Sequence, residues 1–293
     1  MPEADELRHQ LLKRQNRDGG WGYQNASSWT EPTAFALLAL EALSEQTPAL
    51  ERGRTWLTKN QRSDGGWGPN PQVGISTWVT SSAILAISGY AAAAGRHKRA
   101  IDWILGQIKP DLGPVERLEF WLQGMPSEEA VAGGTPWFPG TAAWVAPTSM
   151  TILALSQAFR HWHTPELERA MDRGCAYLLS RRCADGGWNH GSTRYRSPDM
   201  SSYPEVTGLA LLALSRSRRH TDLGVSLDLA EHMMKSPESS EGQSWLSLGL
   251  LSHGRKPGNI DQPLRCHTTR DISLRLLAIT ASQGNNRLVA AGA

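Results

Sequence analysis

Three carboxylates stand where apolar segments of the chain begin, and they are the side chains best suited to chemistry. Glu31 and Glu205 each lie two residues before a threonine that opens such a segment, Thr33 and Thr207. Asp271 lies at the start of the last segment of this kind. A carboxyl group in a cavity can transfer a proton to or from a bound molecule. We therefore take these three acids as the candidate catalytic residues.

Aromatic residues accompany the same positions and are the candidate substrate-binding residues. They are Trp29, Trp78, Trp144 and Tyr203, which lie two or four residues before the threonine of their own segment. Aromatic faces can line an apolar cavity and stabilise a positively charged intermediate. An alternative interpretation needs no ligand, because acids in the first turn of a helix stabilise its dipole and proline and threonine are common there. Aromatic residues there can also pack neighbouring helices together.

Six short segments rich in Leu and Ala must position these residues. They start at residues 33, 80, 148, 207, 244 and 272, and the first four begin with threonine. Few of their residues are β-branched, so helix is favoured over strand. A helix that is apolar on all sides is buried on all sides. The segments therefore predict six inner helices, and equal positions in them are expected at one mouth of a central cavity.

Amphipathic segments alternate with the apolar ones. Residues 49–61, 96–108 and 166–182 combine charged side chains with one apolar stripe, which is typical of helices that bury a single face. The alternation predicts an all-α fold, an α/α toroid (barrel) of helical hairpins with about six buried inner helices and about five amphipathic outer helices. We expect a single domain over residues 1–293 with an insertion at residues 109–133. Prolines and a glycine in residues 254–269 predict a loop there instead of a last outer helix.

A glycine-rich turn joins the two kinds of helix and recurs along the chain. Residues 15–22 read QNRDGGWG, residues 61–68 read QRSDGGWG, residues 182–188 read RCADGGW, and residues 133–137 are a degraded copy, GGTPW. Paired glycines can adopt positive φ and end a helix, and the aspartate can bind the amides of the turn. Trp21, Trp67 and Trp188 are therefore predicted to be buried scaffold residues.

The QxxDGGWG turn followed by a TxxALLAL helix resembles the repeat of squalene-hopene cyclases, oxidosqualene cyclases and protein prenyltransferase β-subunits. The resemblance covers residues 7–279. It implies a terpenoid cyclase-type toroid whose central apolar cavity holds an isoprenoid. The DxDD motif of class II cyclases, the DDxxD motif of class I synthases and the DxC zinc ligands of protein prenyltransferases are all absent from the sequence.

No metal or cofactor is expected. Zinc needs about four converging nitrogen, sulfur or oxygen ligands. Two sets of loop residues come nearest to such a site: Cys266, His267 and Asp271, and Cys183, Asp185 and His190. Short fragments of this kind are weak signals, so we interpret them as unrelated polar loop residues.

Three functional classes follow from these patterns. The first is a terpene-cyclase-like or prenyltransferase-like protein that binds an isoprenoid and, as an isomerase, cyclises it with one of the three acids as proton donor. The alternative is a non-catalytic toroid that binds a lipid, peptide or protein partner. The third is a carbohydrate-active enzyme, because polysaccharide lyases also use α/α toroids. A cyclase should show a closed apolar cavity, a lyase a charged groove, and a binding protein a packed centre with an exposed apolar patch.

The charge and hydropathy of the chain limit the kinds of binding partner that we expect. The chain has 30 Lys and Arg against 28 Asp and Glu, so a nucleic-acid partner is not expected. No apolar stretch reaches the roughly 18 residues of a membrane span, and residues 1–15 lack a secretory signal, so a cytoplasmic location is expected. We expect an isoprenoid or another apolar small molecule as partner. Apolar residues of the insertion predict a lid over the cavity or, less favoured, a peripheral membrane contact: Leu118, Phe120, Trp121, Leu122 and Met125.

Overall fold

The computed structural model describes residues 2–24, 26–44, 47–90, 93–110, 122, 132–191, 201–218, 221–258, 264–284, 286 and 288–289. Eleven helices and one short β-ladder make up the regular structure of these residues. Within this part of the chain, no helix has both the length and the apolar character that crossing a bilayer requires.

Six helices form a closed inner ring. They are α2 (Thr30–Ala42), α4 (Val79–Ile87), α6 (Val145–Trp162), α8 (Pro204–Leu214), α10 (Ser240–Ser252) and α11 (Thr269–Ser282). Each packs against the next in this order, and α11 returns to α2. Nearly every residue of α2, α4 and α8 is buried, because their apolar residues leave no polar face for solvent. Most of α10 is buried as well, although it contains Gln243, Ser244 and Ser247. The predicted inner ring is confirmed.

Five helices pack outside this ring. They are α1 (Pro2–Lys13), α3 (Pro48–Lys59), α5 (Ala94–Leu105), α7 (Pro165–Ser180) and α9 (Gly224–Met233). In α3, Leu50, Trp56 and Leu57 form the buried stripe, Arg54 is buried in an ion pair with Glu41, and Glu51 and Arg52 face solvent. The first helix, α1, packs on the last inner helix, α11. Residues 254–258 and 264–268 contain no helix, as their sequence predicts, whereas residues 259–263 lie outside the described residues.

The three intact glycine-rich turns share one hydrogen-bond pattern. Their tryptophans are fully buried, and each indole Nε1–H donates to a carbonyl near the end of the preceding outer helix, at 2.8, 2.8 and 2.7 Å: Trp21 to Leu11, Trp67 to Leu57 and Trp188 to Leu178. The first glycine of each pair has a φ of +97°, +96° or +95°, a conformation that favours glycine. The scaffold role predicted for the tryptophans is confirmed.

The degraded fourth turn keeps this framework with other residues. Its glycines form β2 (Gly133–Gly134), which pairs antiparallel with β1 (Lys109–Pro110). Thr135 takes the place of the tryptophan, and its N–H donates to Oγ1 of Thr148 at 2.9 Å, as each tryptophan N–H does to the threonine of its own inner helix. Tyr177 packs against Gly134 and is fully buried.

Close packing of α8 on α10 brings two acids together. A Cβ added to Gly208 would lie 2.3 Å from the backbone N of Leu246, and one added to Gly249 would lie 2.6 Å from the carbonyl oxygen of Gly208. Only glycine permits backbones to approach this closely. The contact places Glu205 and Glu241, in the first turns of these two helices, beside one cavity.

Candidate functional site

Hydrogen bonds between neighbouring hairpins gather the starts of the inner helices at one end of the toroid. In four places, the residue two positions after the turn's tryptophan, or after Thr135, accepts an N–H from the start of an inner helix at 2.7–3.2 Å: Pro69 from Thr30, Trp137 from Trp78, His190 from Val145 and Tyr23 from Thr269. The last of these bonds closes the ring, because it joins the last inner helix to the loop after the first turn.

A cavity of about 320 Å³ opens at this end of the toroid. Its apolar wall consists of Trp78, Trp137, Ala146, Val206, Leu209 and Trp245. Its polar groups are Tyr23, Glu31, His190, Glu205, Glu241 and Arg270. The volume is near the lower end of the roughly 300–1,000 Å³ range of ligand pockets. The cavity is partly open to solvent, whereas a closed one was expected for a cyclase.

The position of a residue within its repeat, which we call its register, determines whether it reaches the cavity. Five of the six apolar segments contribute the residue two positions before their start: Glu31, Trp78, Ala146, Glu205 and Arg270. The structure therefore brings Glu31 and Glu205 together in one cavity with Trp78. Equal positions on helices that run the same way around a ring lie at equal depth, which is why the repeat spacing could indicate this.

Three of the four predicted aromatic residues lie beside the cavity and not in its wall. Trp29, Trp144 and Tyr203 precede their helices in extended backbone, four residues before the aligned threonine and not two. Trp29 contacts Tyr23 edge to face, with 5.7 Å between the ring centroids. Trp144 and Tyr203 flank the ring of His190 at 6.2 and 5.3 Å. These aromatic residues pack against residues of the cavity wall instead of forming the wall.

Asp271 also lies outside this cavity, one residue past the register position. Its Oδ2 accepts the N–H of Thr268 at 2.9 Å and of His267 at 3.1 Å, and its own N–H donates to Oγ1 of Thr268 at 3.1 Å. This capping box begins α11. Asp271 lines an adjoining cavity of about 400 Å³, which shares Glu205 and Glu241 with the first. The structure thus gives Asp271 a capping role where the sequence suggests a catalytic one.

Arg270 joins two carboxylates across the ring. Its Nε lies 2.8 Å from Oε1 of Glu31, and its Nη1 donates to Oε1 of Glu241. The Nε–H does not point at Glu31, so that contact is ionic without a hydrogen bond. The guanidinium also lies 5.6 Å from the ring centroid of Phe35. Burial lowers the pKa of Arg270, but the charges of Glu31 and Glu241 outweigh it and raise the pKa above its ordinary value.

Both oxygens of Glu31 are engaged. The residue is only 4% exposed, and its Oε2 accepts the hydroxyl of Tyr23. Burial raises the pKa of Tyr23, and the charge of Glu31 and its hydrogen bond raise it further, so the phenol stays protonated as a donor. Glu31 is therefore the counter-ion of Arg270. Its carboxylate oxygens are therefore occupied by partners within the protein.

Glu205 shares the register of Glu31 but not its surroundings. It is half-buried in the first turn of α8, and no hydrogen bond or ion pair within the described chain engages its carboxylate. It lines both cavities. Of the two acids that the sequence treats as equivalent, Glu205 is the one available to a ligand.

Besides the aliphatic residues Ala146, Val206 and Leu209, sequence reasoning missed six aromatic or polar residues of the cavity wall: Tyr23, Trp137, His190, Glu241, Trp245 and Arg270. The positions of four of these six residues within the repeat could have indicated that they line the cavity. Tyr23, Trp137 and His190 stand two positions after their turn's tryptophan or its replacement, and Arg270 stands two positions before the sixth apolar segment. Glu241 and Trp245 belong to α10, whose apolar segment begins with Ser244 and lacks the marking threonine.

The suggested metal ligands do not converge in the described part of the chain, where no group of three or more His, Cys, Asp or Glu could hold a metal ion. The Sγ of Cys266 lies 3.1 Å from Oγ of Ser240, and burial raises the pKa of this thiol. Asp185 accepts the N–H of Gly187 within its own turn at 3.0 Å. Of the predicted lid, only Leu122 belongs to the described residues, and it is exposed. Leu118, Phe120, Trp121 and Met125 lie outside them.

Comparisons with known proteins bear on the fold. No family model matches the chain, and no curated protein matches its sequence. An α-amylase from Clostridium perfringens is similar in structure with a TM-score of 0.68 at 10% identity, over 95% of this chain and 97% of that one. Endoglucanase Cel10, a family 8 glycosyl hydrolase from Klebsiella pneumoniae, gives 0.62 at 15% identity, over 95% and 99%.

A terpene cyclase is also similar in structure. A variant of the type II terpene cyclase MstE from Scytonema, in complex with geranylgeranyl dihydroxybenzoate, gives a TM-score of 0.57 at 16% identity, over 96% of this chain and 79% of that one. The toroid is terpene-cyclase-like. Glycosyl hydrolases share this toroid, and all sequence identities are low. These similarities therefore show the fold, and the function must be argued from the residues of the site.

Proposed function

We propose that this protein binds an isoprenoid or a similar apolar molecule in the cavity at the starts of its inner helices. The observation that carries the proposal is a wall of three tryptophans, Trp78, Trp137 and Trp245, beside the carboxylate of Glu205, which no other described residue engages. Pockets for small molecules combine apolar and aromatic walls with a few polar groups that fix the ligand. The geranylgeranyl ligand of the structurally similar cyclase supports an isoprenoid as the apolar molecule.

Within this proposal the two glutamates have different roles. Glu31 and Arg270 hold the mouth together, because each is the partner of the other. Glu205 is the acid that acts on the ligand. In a cyclisation, the proton of its carboxyl group would form a C–H bond at one carbon of a double bond, leaving a cation on the other carbon, which the tryptophan faces stabilise. Loss of a proton from the cyclised skeleton to Glu205 would complete an isomerisation.

A carbohydrate-active enzyme fits this geometry less well. Glycoside hydrolysis uses a pair of carboxylates that flank the scissile bond, one of them as a general acid. Here Glu31 and Glu241 are both paired with Arg270, so among the described residues of this wall only the carboxylate of Glu205 is unpaired. The adjoining cavity is the more polar of the two, with Glu238, Arg265 and Asp271 in its lining, so cleavage of a polysaccharide stays the second candidate.

The test combines binding with turnover. Purified protein would be titrated with prenyl alcohols and squalene-type hydrocarbons by tryptophan fluorescence, and incubations would be analysed by mass spectrometry for an isomer of unchanged mass. We expect Glu205→Gln to abolish the isomer while melting temperature and binding are kept. Glu238→Gln is the matched control, because Glu238 lines only the adjoining cavity.

The outcomes separate the functional classes. Binding without an isomer would favour the non-catalytic toroid. Absence of binding of every prenyl compound, together with hydrolysis of a polysaccharide, would overturn the proposal. An isomer formed equally well by Glu205→Gln would remove Glu205 from the reaction.

A further inference from the structure

We infer that the cavity selects prenyl compounds with a neutral or cationic head group and rejects prenyl diphosphates. The inference rests on the proposed function, since it presupposes an isoprenoid in the cavity. It concerns the chemical class of the ligand's polar end, which neither the repeat nor the fold determines. Two independent features of the mouth carry it.

The first feature is the charge of the cavity wall. Among the described lining residues, Glu31, Glu205 and Glu241 stand against a single guanidinium, that of Arg270. Arg270 already serves Glu31 and Glu241 together, so its charge is compensated before any ligand arrives. A diphosphate would find no positive charge at Glu205 and would have to displace the carboxylate of Glu31 or Glu241 to reach the arginine. Like charges placed together in this way oppose binding.

The second feature is the state of the helix N-termini. Free N–H groups at the start of a helix form a ready anion site. Here the loop carbonyls of Pro69, Trp137, His190 and Tyr23 accept N–H groups at the starts of α2, α4, α6 and α11 at 2.7–3.2 Å. The start of α10 is capped by Oγ of Ser239, which accepts the N–H of Gly242 at 3.0 Å. At five of the six inner helices an oxygen atom therefore already occupies an N–H of the positive helix end. The sixth, α8, has no side-chain cap but begins with Pro204, which has no N–H to donate.

The test uses three ligands that share one tail. Farnesol, farnesylamine and farnesyl diphosphate would be titrated into the full chain below their micelle concentrations, with tryptophan fluorescence as the readout. We expect farnesyl diphosphate to bind at least tenfold more weakly than farnesol, and farnesylamine at least as tightly as farnesol. The difference should shrink as salt is raised, because exposed charges are screened.

A variant connects this selectivity to Arg270. Glu241→Gln removes one of its two counter-charges at a side chain that is 31% exposed, so the change should be tolerated by the fold. We expect the ratio of its affinity for farnesyl diphosphate to its affinity for farnesol to rise at least fivefold. Glu238→Gln is the control, because it removes a nearby charge outside this cavity and should change either affinity less than twofold.

The results distinguish this inference from the proposed function. Farnesyl diphosphate binding as tightly as farnesol would overturn the inference and leave the proposed isoprenoid site intact. An equal gain in Glu241→Gln and Glu238→Gln would show that general charge, and not Arg270, sets the selectivity. If none of the three ligands binds, the proposed function fails and the inference fails with it.

Discussion

Replacement of Arg270 by methionine tests whether Glu31 is a structural counter-ion. The substitution keeps an apolar stem over Phe35 but leaves the Glu31 side chain, 6% exposed, with the Tyr23 hydroxyl as its remaining partner. Removing one partner of a buried ion pair costs about 3–5 kcal/mol. Since the side chains of Arg270 and Glu241 are 20% and 31% exposed, we expect the lower end, about 3 kcal/mol. This corresponds to a fall in melting temperature of about 6–12 °C.

The assay is urea unfolding of four proteins: wild type, Arg270→Met, Glu31→Gln and the double variant. The amide introduced by Glu31→Gln can still accept the hydroxyl of Tyr23 and leaves no buried charge, so the double variant should be more stable than Arg270→Met alone. We expect a coupling free energy of about 1–3 kcal/mol.

The surface provides the control for this cycle. Arg255 is 43% exposed and lies 3.5 and 3.2 Å from Asp228 and Glu231, so Arg255→Met should cost no more than about 1 kcal/mol. Equal losses for Arg270→Met and Arg255→Met, or a double variant no more stable than Arg270→Met, would refute the counter-ion role of Glu31.

Two further predictions concern stability. In urea unfolding, Trp67→Ala should lower the free energy of unfolding by about 3–5 kcal/mol. Trp67→Phe should lower it by about 1–3 kcal/mol, because it chiefly leaves the carbonyl of Leu57 without its hydrogen bond. A Trp67→Ala variant as stable as the wild type would contradict the scaffold role. Burial, aided by the charge of His161, lowers the pKa of His97 from 6.5 to about 4, so the unfolded chain binds more protons between these values and stability falls as pH drops through that window. At pH 5 the loss from His97 should be about 2 kcal/mol relative to pH 7, and His97→Leu, compared at both pH values, should lack it.

The architecture could be predicted because the same pattern of apolar helix, amphipathic helix and glycine-rich turn recurs along the chain. A helix without a polar face is stable only when it is buried on all sides. Six such helices that alternate with amphipathic ones therefore predict an inner ring surrounded by an outer ring. Even the degraded fourth turn follows, since Thr135 reproduces the backbone bond to Thr148 without an indole. The ring that packs against this turn, Tyr177 from α7, belongs to a tertiary contact that no local pattern contains.

The sequence could predict only those site residues that occupy equal positions in successive repeats. Register placed Glu31, Glu205 and Trp78 in one cavity, but it could not separate Trp29, which stands before its helix, from residues within the first turn. Nor could it show that Asp271 caps its own helix, because a capping box and a catalytic acid at a helix start have the same spacing.

The order of helices around the ring explains why two acids in equal register differ. Glu31 on α2 adjoins α11, whose residue in the same register is Arg270, so first and last inner helices meet through an ion pair. Glu205 on α8 lies between α6 and α10, where the corresponding positions are Ala146 and Gly242. Neither small residue can neutralise a carboxylate, and a Cβ on Gly242 would already lie 3.1 Å from Pro204. The same repeat geometry thus yields a structural acid where its neighbour is basic and an available acid where its neighbours are small.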